Sequence, residues 1–570
     1  MFQFASSAAG RSRWPAILLG SILALAVLAG CESQQSDTAS STGTGSATGR
    51  ASSSAPVQQE AAAPSSSRVR IDITKGQVSG FVHAEPSPYL PASPQPSTAR
   101  YPDAQPNPIR SVRQEPVSTF SIDVDTASYA VARRFLRANH LPPAEAVRVE
   151  EMINYFPYAY QGPADRSAPF RATATILPTP WNAETKLLHI GIKGFDVPRA
   201  ERPRANVVLL IDVSGSMSPS DRLPLLKTAF ARFVDELRDE DRIAIVTYAG
   251  ASGVALEPTP GHDKAKIRAA LDTLGSGGST AGFAGLQQAY ALAERHFDRN
   301  AVNRIILATD GDFNVGISDP KQLEKFIADK RRTGIYLTVL GVGLDNLNDA
   351  LMQRLAQAGN GAAAHIDSLL EARKVLGEEL ASTMFPIADD VKIQVEFNPA
   401  LVAEYRLIGY ETRMLRREDF NNDKIDAGEI GSGHSVTALY EIVPVGSRKR
   451  FLDPLRYGQE TEAPRGAHGG EYAFLRLRYK LPGEETSRLI ETPITERDAR
   501  ASLDGVSSEI RFATAVAAFG QALRDETHLN GFRWADIAAL AQSGRGEDTN
   551  GYRAEFVQLV RLAEALKRQP

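Results

Sequence analysis

The chain has 570 residues, 42% of them hydrophobic and 23% charged, with a formal net charge of −4. That length calls for about two to three globular units, and the small net charge gives nothing that points to a nucleic-acid partner. A single cysteine excludes an intrachain disulfide and a cysteine-rich zinc site.

Arg11 and Arg13 precede an apolar run, Pro15 to Leu28, that is shorter than a membrane span needs and reads as an export signal. The run ends in Leu28-Ala29-Gly30-Cys31, which resembles a bacterial lipobox. The resemblance implies cleavage before the cysteine and acylation of Cys31, since several chains on one residue anchor where one is marginal. Residues 1–30 are therefore expected to be a lipoprotein signal peptide. The mature protein is expected to be membrane-anchored through lipid on Cys31 at the bacterial cell envelope, facing the periplasm. Residues 31–116, rich in Ser, Ala and Pro, read as a flexible tether with weak alternation over Arg68 to Val82.

Order is expected from Val117. Phe120, Ile122 and Val124 alternate as in a strand, and Asp125 or Thr126 then stands where an N-cap belongs. A helix follows with Tyr129, Ala132, Phe135 and Leu136 on one face, then a second over about Ala144 to Tyr155. Asp123 and Asp125 read as capping and turn residues rather than metal ligands. With strands at Phe170 to Ile176 and Leu187 to Ile192, residues 117–204 form an N-terminal flanking domain.

From 205 to 384 strands and helices alternate, the pattern of a parallel sheet covered on both faces. The strands are Val207–Asp212, Arg242–Tyr248, Gly253–Leu256, Arg304–Thr309, Ile335–Val342 and Ala362–Ile366, mostly continuous apolar runs that suit full burial. Leu226, Ala229, Phe230, Phe233 and Leu237 follow the spacing of a core-facing helix. The fold class is thus α/β, a doubly wound, Rossmann-like parallel sheet. Residues 385–495 read as β-rich, with strands at Val391–Phe397, Ala403–Ile408, Ser435–Val443 and Tyr472–Tyr479. The strands before residue 205 are candidates to complete that sheet, which would make the central domain an insertion. Residues 496–570 turn helical.

In open α/β sheets ligands bind beyond the carboxyl ends of the strands. There the first strand ends in Asp212-Val213-Ser214-Gly215-Ser216, a second loop carries Thr280 at the opening of a helix, and a third carries Asp310-Gly311. These side chains offer hard oxygens only, which suits Mg²⁺, Mn²⁺ or Ca²⁺. The set Asp212, Ser214, Ser216, Thr280 and Asp310 resembles the complete metal-ion-dependent adhesion site of von Willebrand factor A domains. The resemblance implies direct coordination by Ser214 and Ser216, with Thr280 joining directly or through water. It assigns Asp212 and Asp310 a role largely through waters, and leaves one position open to an Asp or Glu of a partner protein. The segments Pro116 to Tyr129, Glu150 to Phe156, Tyr405 to Tyr410 and Asp426 to Glu441 resemble the YfbK-like bacterial lipoproteins.

Asp419, Asn421 and Asp423 have calcium-loop spacing, but Lys424 and Ile430 stand where such a loop needs Gly and Glu, so a polar hairpin loop is the better reading. The expected function is non-enzymatic: an envelope protein that binds a partner through a divalent cation. The alternative is an envelope hydrolase with a non-contiguous catalytic site, although no HExxH or GxSxG is present.

Overall fold

The computed structural model describes residues 99–570 apart from 104, 312–318, 454, 458–467, 525–526 and 569–570. The expected export signal, Cys31 and the expected tether as far as residue 98 lie outside the described residues. Among the described residues no helix is long and apolar enough to cross a membrane.

The central α/β domain is built on a six-stranded sheet in the order 363–365, 335–341, 301–309, 204–212, 242–248, 252–260. All neighbours are parallel except the last pair, where Ser252–Pro260 runs antiparallel to Arg242–Tyr248. Strand Arg204–Asp212 is central, and its alternate residues feed two different cores. Val207, Leu209 and Ile211 pack under helix Leu223–Glu236 with Leu226, Phe230 and Phe233. Val208 and Leu210 face helix Gly282–Arg295 through Leu286, Ala289 and Tyr290. Because side chains alternate across a strand, such a run has to be apolar at every position.

The chain enters this domain from strand Asn182–Gly194 and leaves it into strand Pro386–Phe397, and both belong to a β-sandwich. One sheet has the order 110–111, 402–408, 435–444, 182–194, 170–179. In the other, 386–397 pairs with 428–431, 117–121 and 471–480, and 488–495 forms the edge. The inner faces share Phe120, Ile190, Ile393, Val395, Tyr440 and Leu475 in one core. Residues 117–204 and 385–495 therefore share sheets, and the α/β domain is inserted between strands of one sandwich. The separation into an N-terminal flanking domain and a β-rich domain is corrected accordingly.

The first sheet is covered on its other face as well. Helices Ala127–Arg137, Val149–Asn154, Ser508–Arg524, Trp534–Gly544 and Tyr552–Lys567 pack there, with Phe156, Phe512, Phe519 and Phe556 in mutual edge contact over Leu177, Leu187 and Leu439. The helices read as a separate region 496–570 thus share a core with the flank helices. Two-sided burial explains why Ser435–Pro444 is buried almost throughout, whereas Glu471–Lys480, in the outer sheet, alternates.

The tether boundary at 116 is also corrected. Arg100 donates its amide to the Leu347 carbonyl at 2.8 Å, Arg110 and Ser111 pair with strand Val402–Ile408, and Val112 is fully buried in the sandwich core. The prolines between these points mask the apolar anchor. The second flank helix is likewise shorter than expected, a 3-10 turn at Ala144–Ala146 followed by a helix at Val149–Asn154.

Strand Ala363–His365 carries a buried imidazole, and burial pushes His365 down to about 4, with Asp367 opposing the shift. The unfolded ring takes a proton near pH 6.5, so the folded state binds fewer protons between those values and stability falls as the pH drops through this window. We expect wild type to lose about 2 kcal/mol more than His365→Asn between pH 7 and pH 5, measured by urea unfolding at each pH. Equal losses would show that His365 is not held neutral.

Candidate metal centre

Three loops meet at the carboxyl end of the central strand. Asp212, the last residue of that strand, is fully buried. Its Oδ1 accepts the Ser214 amide at 2.9 Å and its Oδ2 accepts the Thr309 hydroxyl at 3.3 Å. Tyr248 stands opposite it on the neighbouring strand, its buried hydroxyl kept protonated by burial and by the Asp212 carboxylate. Burial, opposed by the Ser214 hydrogen bonds, lifts Asp212 to about 6, and the negative charge of Asp310 adds to the rise.

Gly215–Met217 forms a single 3-10 turn that sets the Ser214 and Ser216 hydroxyls 3.0 Å apart. The loop carrying Thr280 is hydrogen-bonded both to the 213–215 segment and to the residue that follows strand Arg242–Tyr248. Gly277 donates to the Val213 carbonyl at 2.8 Å, Gly215 to the Gly278 carbonyl at 3.0 Å, and Ala281 to the Ala249 carbonyl at 2.6 Å. Thr280 is half-buried in that loop, just before helix Gly282–Arg295.

Asp310 follows strand Ala301–Thr309 and is buried. Its Oδ2 accepts from Arg222 at 2.7 Å, while among the described residues no donor reaches its buried Oδ1. Gly311, at φ +104°, packs against the 346–348 loop, where a Cβ would lie 2.4 Å from the Asn346 carbonyl. The structure therefore brings Asp212, Ser214 and Ser216 together and zips the Thr280 loop to them. Asp310, with one oxygen left bare, enters from the adjacent strand.

An unpaired carboxylate oxygen in a protein interior costs about 1–3 kcal/mol or more. With two hydroxyls and a second carboxylate at hand, it fits a hard divalent cation. Asp212, Ser214, Ser216, Thr280 and Asp310 are the residues that would hold one, and the ion would supply a Lewis-acidic point for an external oxygen.

Arg222 also belongs to this site. It immediately precedes helix Leu223–Glu236, is only 5% exposed, and donates to the Ser216 carbonyl at 2.7 Å as well as to Asp310. A lone arginine at a helix entrance gives little signal in a sequence.

A second group of carboxylates, Asp123, Asp125 and Glu151, lies with ligand oxygens within 4.8 Å of one another. Donors take most of those oxygens. Arg413 reaches Asp123 and Asp125 at 3.1 and 2.7 Å, Ala363 gives its amide to Asp125 at 2.7 Å, and Arg148, Gln353 and the Ser128 amide converge on Glu151. The group is an ion-pair clamp. Asp123 does accept the Asp125 amide in a turn, at 2.9 Å, but the ion pairs with Arg413 go beyond the expected capping role. In the 419–429 loop Asp419 accepts from Arg416, Asp423 from the Ser487 amide and Asp426 from Arg331.

Fold and site together define a von Willebrand factor type A protein. The family model for the von Willebrand factor type A domain matches residues 206–375, and a second model, described as von Willebrand factor, matches 95–189. The model for the C-terminal part of the uncharacterized protein YfbK matches 382–566. The chain is 46% identical over 477 residues to the uncharacterized protein YfbK of Escherichia coli (strain K12), covering 83% of this chain and 82% of that one. It belongs to the YfbK family.

More distantly, human inter-alpha-trypsin inhibitor heavy chain H3 is 24% identical over 52% of this chain and 38% of its own length. Among solved structures, a von Willebrand factor type A protein from Catenulispora acidiphila covers 71% of this chain and 91% of its own at 17% identity and a TM-score of 0.40. Proximal thread matrix protein 1 of the mussel byssus, solved with a zinc-occupied MIDAS motif, covers 33% of this chain and 46% of its own at 22% identity and a TM-score of 0.27.

Proposed function

We propose that this protein is a non-enzymatic binding module that grips a partner protein through a divalent cation, Mg²⁺, Mn²⁺ or Ca²⁺, held by Asp212, Ser214, Ser216, Thr280 and Asp310. The observation that carries this reading is the buried Oδ1 of Asp310, bare among the described residues, on a carboxylate that Arg222 links to the turn holding the paired Ser214 and Ser216 hydroxyls. These residues would hold the cation, and the ion would offer a Lewis-acidic point to an Asp or Glu of a partner. The lipobox-like Leu28 to Cys31 supports anchoring to the cell envelope through lipid on Cys31. The hydrolase alternative gains no such observation: the Ser214 hydroxyl faces Ser216, and the His189 ring is committed to Tyr160 at 2.9 Å.

The test is capture of an envelope protein by the full chain in Mg²⁺ and in EDTA, with a Cys31→Ser variant fractionated in parallel. The reading expects capture in Mg²⁺ alone, and movement of Cys31→Ser out of the membrane fraction. Capture that is equal in EDTA would refute the cation bridge, and continued lipid labelling of Cys31→Ser would refute the anchor.

A further inference from the structure

The charge of the metal centre is not set by its carboxylates alone. Arg222 donates through Nη1 both to the Ser216 carbonyl and to Asp310 Oδ2, each at 2.7 Å. Its outer nitrogen meets Asp345 at 3.1 Å, but that side chain is 78% exposed and offsets little of the guanidinium charge. The fold makes room for this arginine. Gly343 sits at φ +71°, and a Cβ there would lie 2.6 Å from Arg222 Nε. Any other residue at 343 would be strained in that conformation and would push the guanidinium from its seat.

We propose that Arg222 is the built-in counter-charge of the metal centre, holding Asp310 by one oxygen while weakening the grip of the site on its cation. This rests on the reading of the site as a cation holder.

Two carboxylates, Asp212 and Asp310, and one guanidinium leave a single net negative charge before loading. A divalent ion then brings the centre to one net positive charge, where the two carboxylates alone would bring it to zero. Buried charges at this range are poorly screened, so the guanidinium repels the incoming cation and also keeps the loaded centre attractive to an anionic oxygen. The Asp310 oxygen that Arg222 does not take is the bare one. A purely structural arginine would predict the opposite sign: removing it would let Asp310 swing away and the cation would bind less well.

The full chain, stripped of metal with EDTA and dialysed, is titrated with Mn²⁺ alone by calorimetry, alongside Arg222→Gln and Arg222→Lys. Arg222→Gln is expected to bind Mn²⁺ at least about fivefold more tightly than wild type, with a correspondingly larger upward shift in melting temperature on loading. Arg222→Lys keeps the charge and should stay close to wild type. Should the glutamine variant fail to fold, Arg222→Met carries the same expectation. Binding by Arg222→Gln that equals or falls below wild type overturns the counter-charge while leaving the cation site standing. A wild type that binds no Mn²⁺ removes the cation reading itself, and this inference with it.

Discussion

Arg133→Met is expected to lower the unfolding free energy by about 3–5 kcal/mol, because it strips the partner from two buried carboxylates. Arg133 lies on helix Ala127–Arg137 and is 1% exposed. Its guanidinium makes a two-pronged contact with Asp367 at 2.5 and 2.9 Å, reaches Glu371 at 2.7 Å, and touches the Tyr155 hydroxyl and Glu555 at 3.0 and 3.2 Å. One side chain from the flank thus ties the inserted α/β domain, through Asp367 and Glu371, to the C-terminal helix Tyr552–Lys567. Methionine fills a similar volume, so the loss comes mainly from the stranded charges. Adding Glu371→Gln should recover part of it, since a neutral amide is far cheaper to leave buried than a carboxylate. Urea unfolding of the two variants reads both effects. A loss below about 1 kcal/mol for Arg133→Met would mean that water or other cations replace the arginine.

The parts of this architecture legible in the sequence are those where burial dictates residue type directly. Val207 to Ile211 must be apolar at every position because both faces of the strand are covered, and Leu226 to Phe233 must be striped because one face of the helix is. Other features leave no local mark. The antiparallel sense of Ser252–Pro260 is decided by its neighbour, not by its own side chains. Strand Arg488–Thr495 escapes notice because it is an exposed edge carrying Pro493, where the apolar alternation that marks a strand is not required. Gly428–Gly431 is too short to show a period. Pairing of Val117–Ser121 with Pro386–Phe397 joins residues hundreds of positions apart, and only register within the folded sheet reveals it. At the candidate metal centre the oxygen-bearing side chains stand out by their spacing, whereas Arg222, a lone arginine before a helix, has no motif.

Asp212→Asn and Asp310→Asn should each weaken Mg²⁺ and Mn²⁺ binding by about a hundredfold or more. Loss of outer-shell partners alone commonly costs 10–100-fold in metal affinity, and these changes remove one of only two carboxylates. Asp212 ends its strand and Asp310 follows its own, and the amides keep the shape of the acids, so the sheet should survive. The fold itself does not wait for the ion. Its cores are formed by packed strands and helices around the site, unlike small domains that fold only on binding metal. EDTA should therefore leave the far-UV circular dichroism unchanged and lower the melting temperature only by the ligand-linkage amount.

Calorimetric titration of the full chain with Mg²⁺, wild type against Asp310→Asn, is the most direct test. The structure predicts one saturable site in wild type, and no measurable site in a variant with the same circular dichroism. Equal binding in the two proteins would contradict the assignment of Asp310 Oδ1 as the cation's seat, and absence of binding in wild type would contradict the cation-dependent account as a whole.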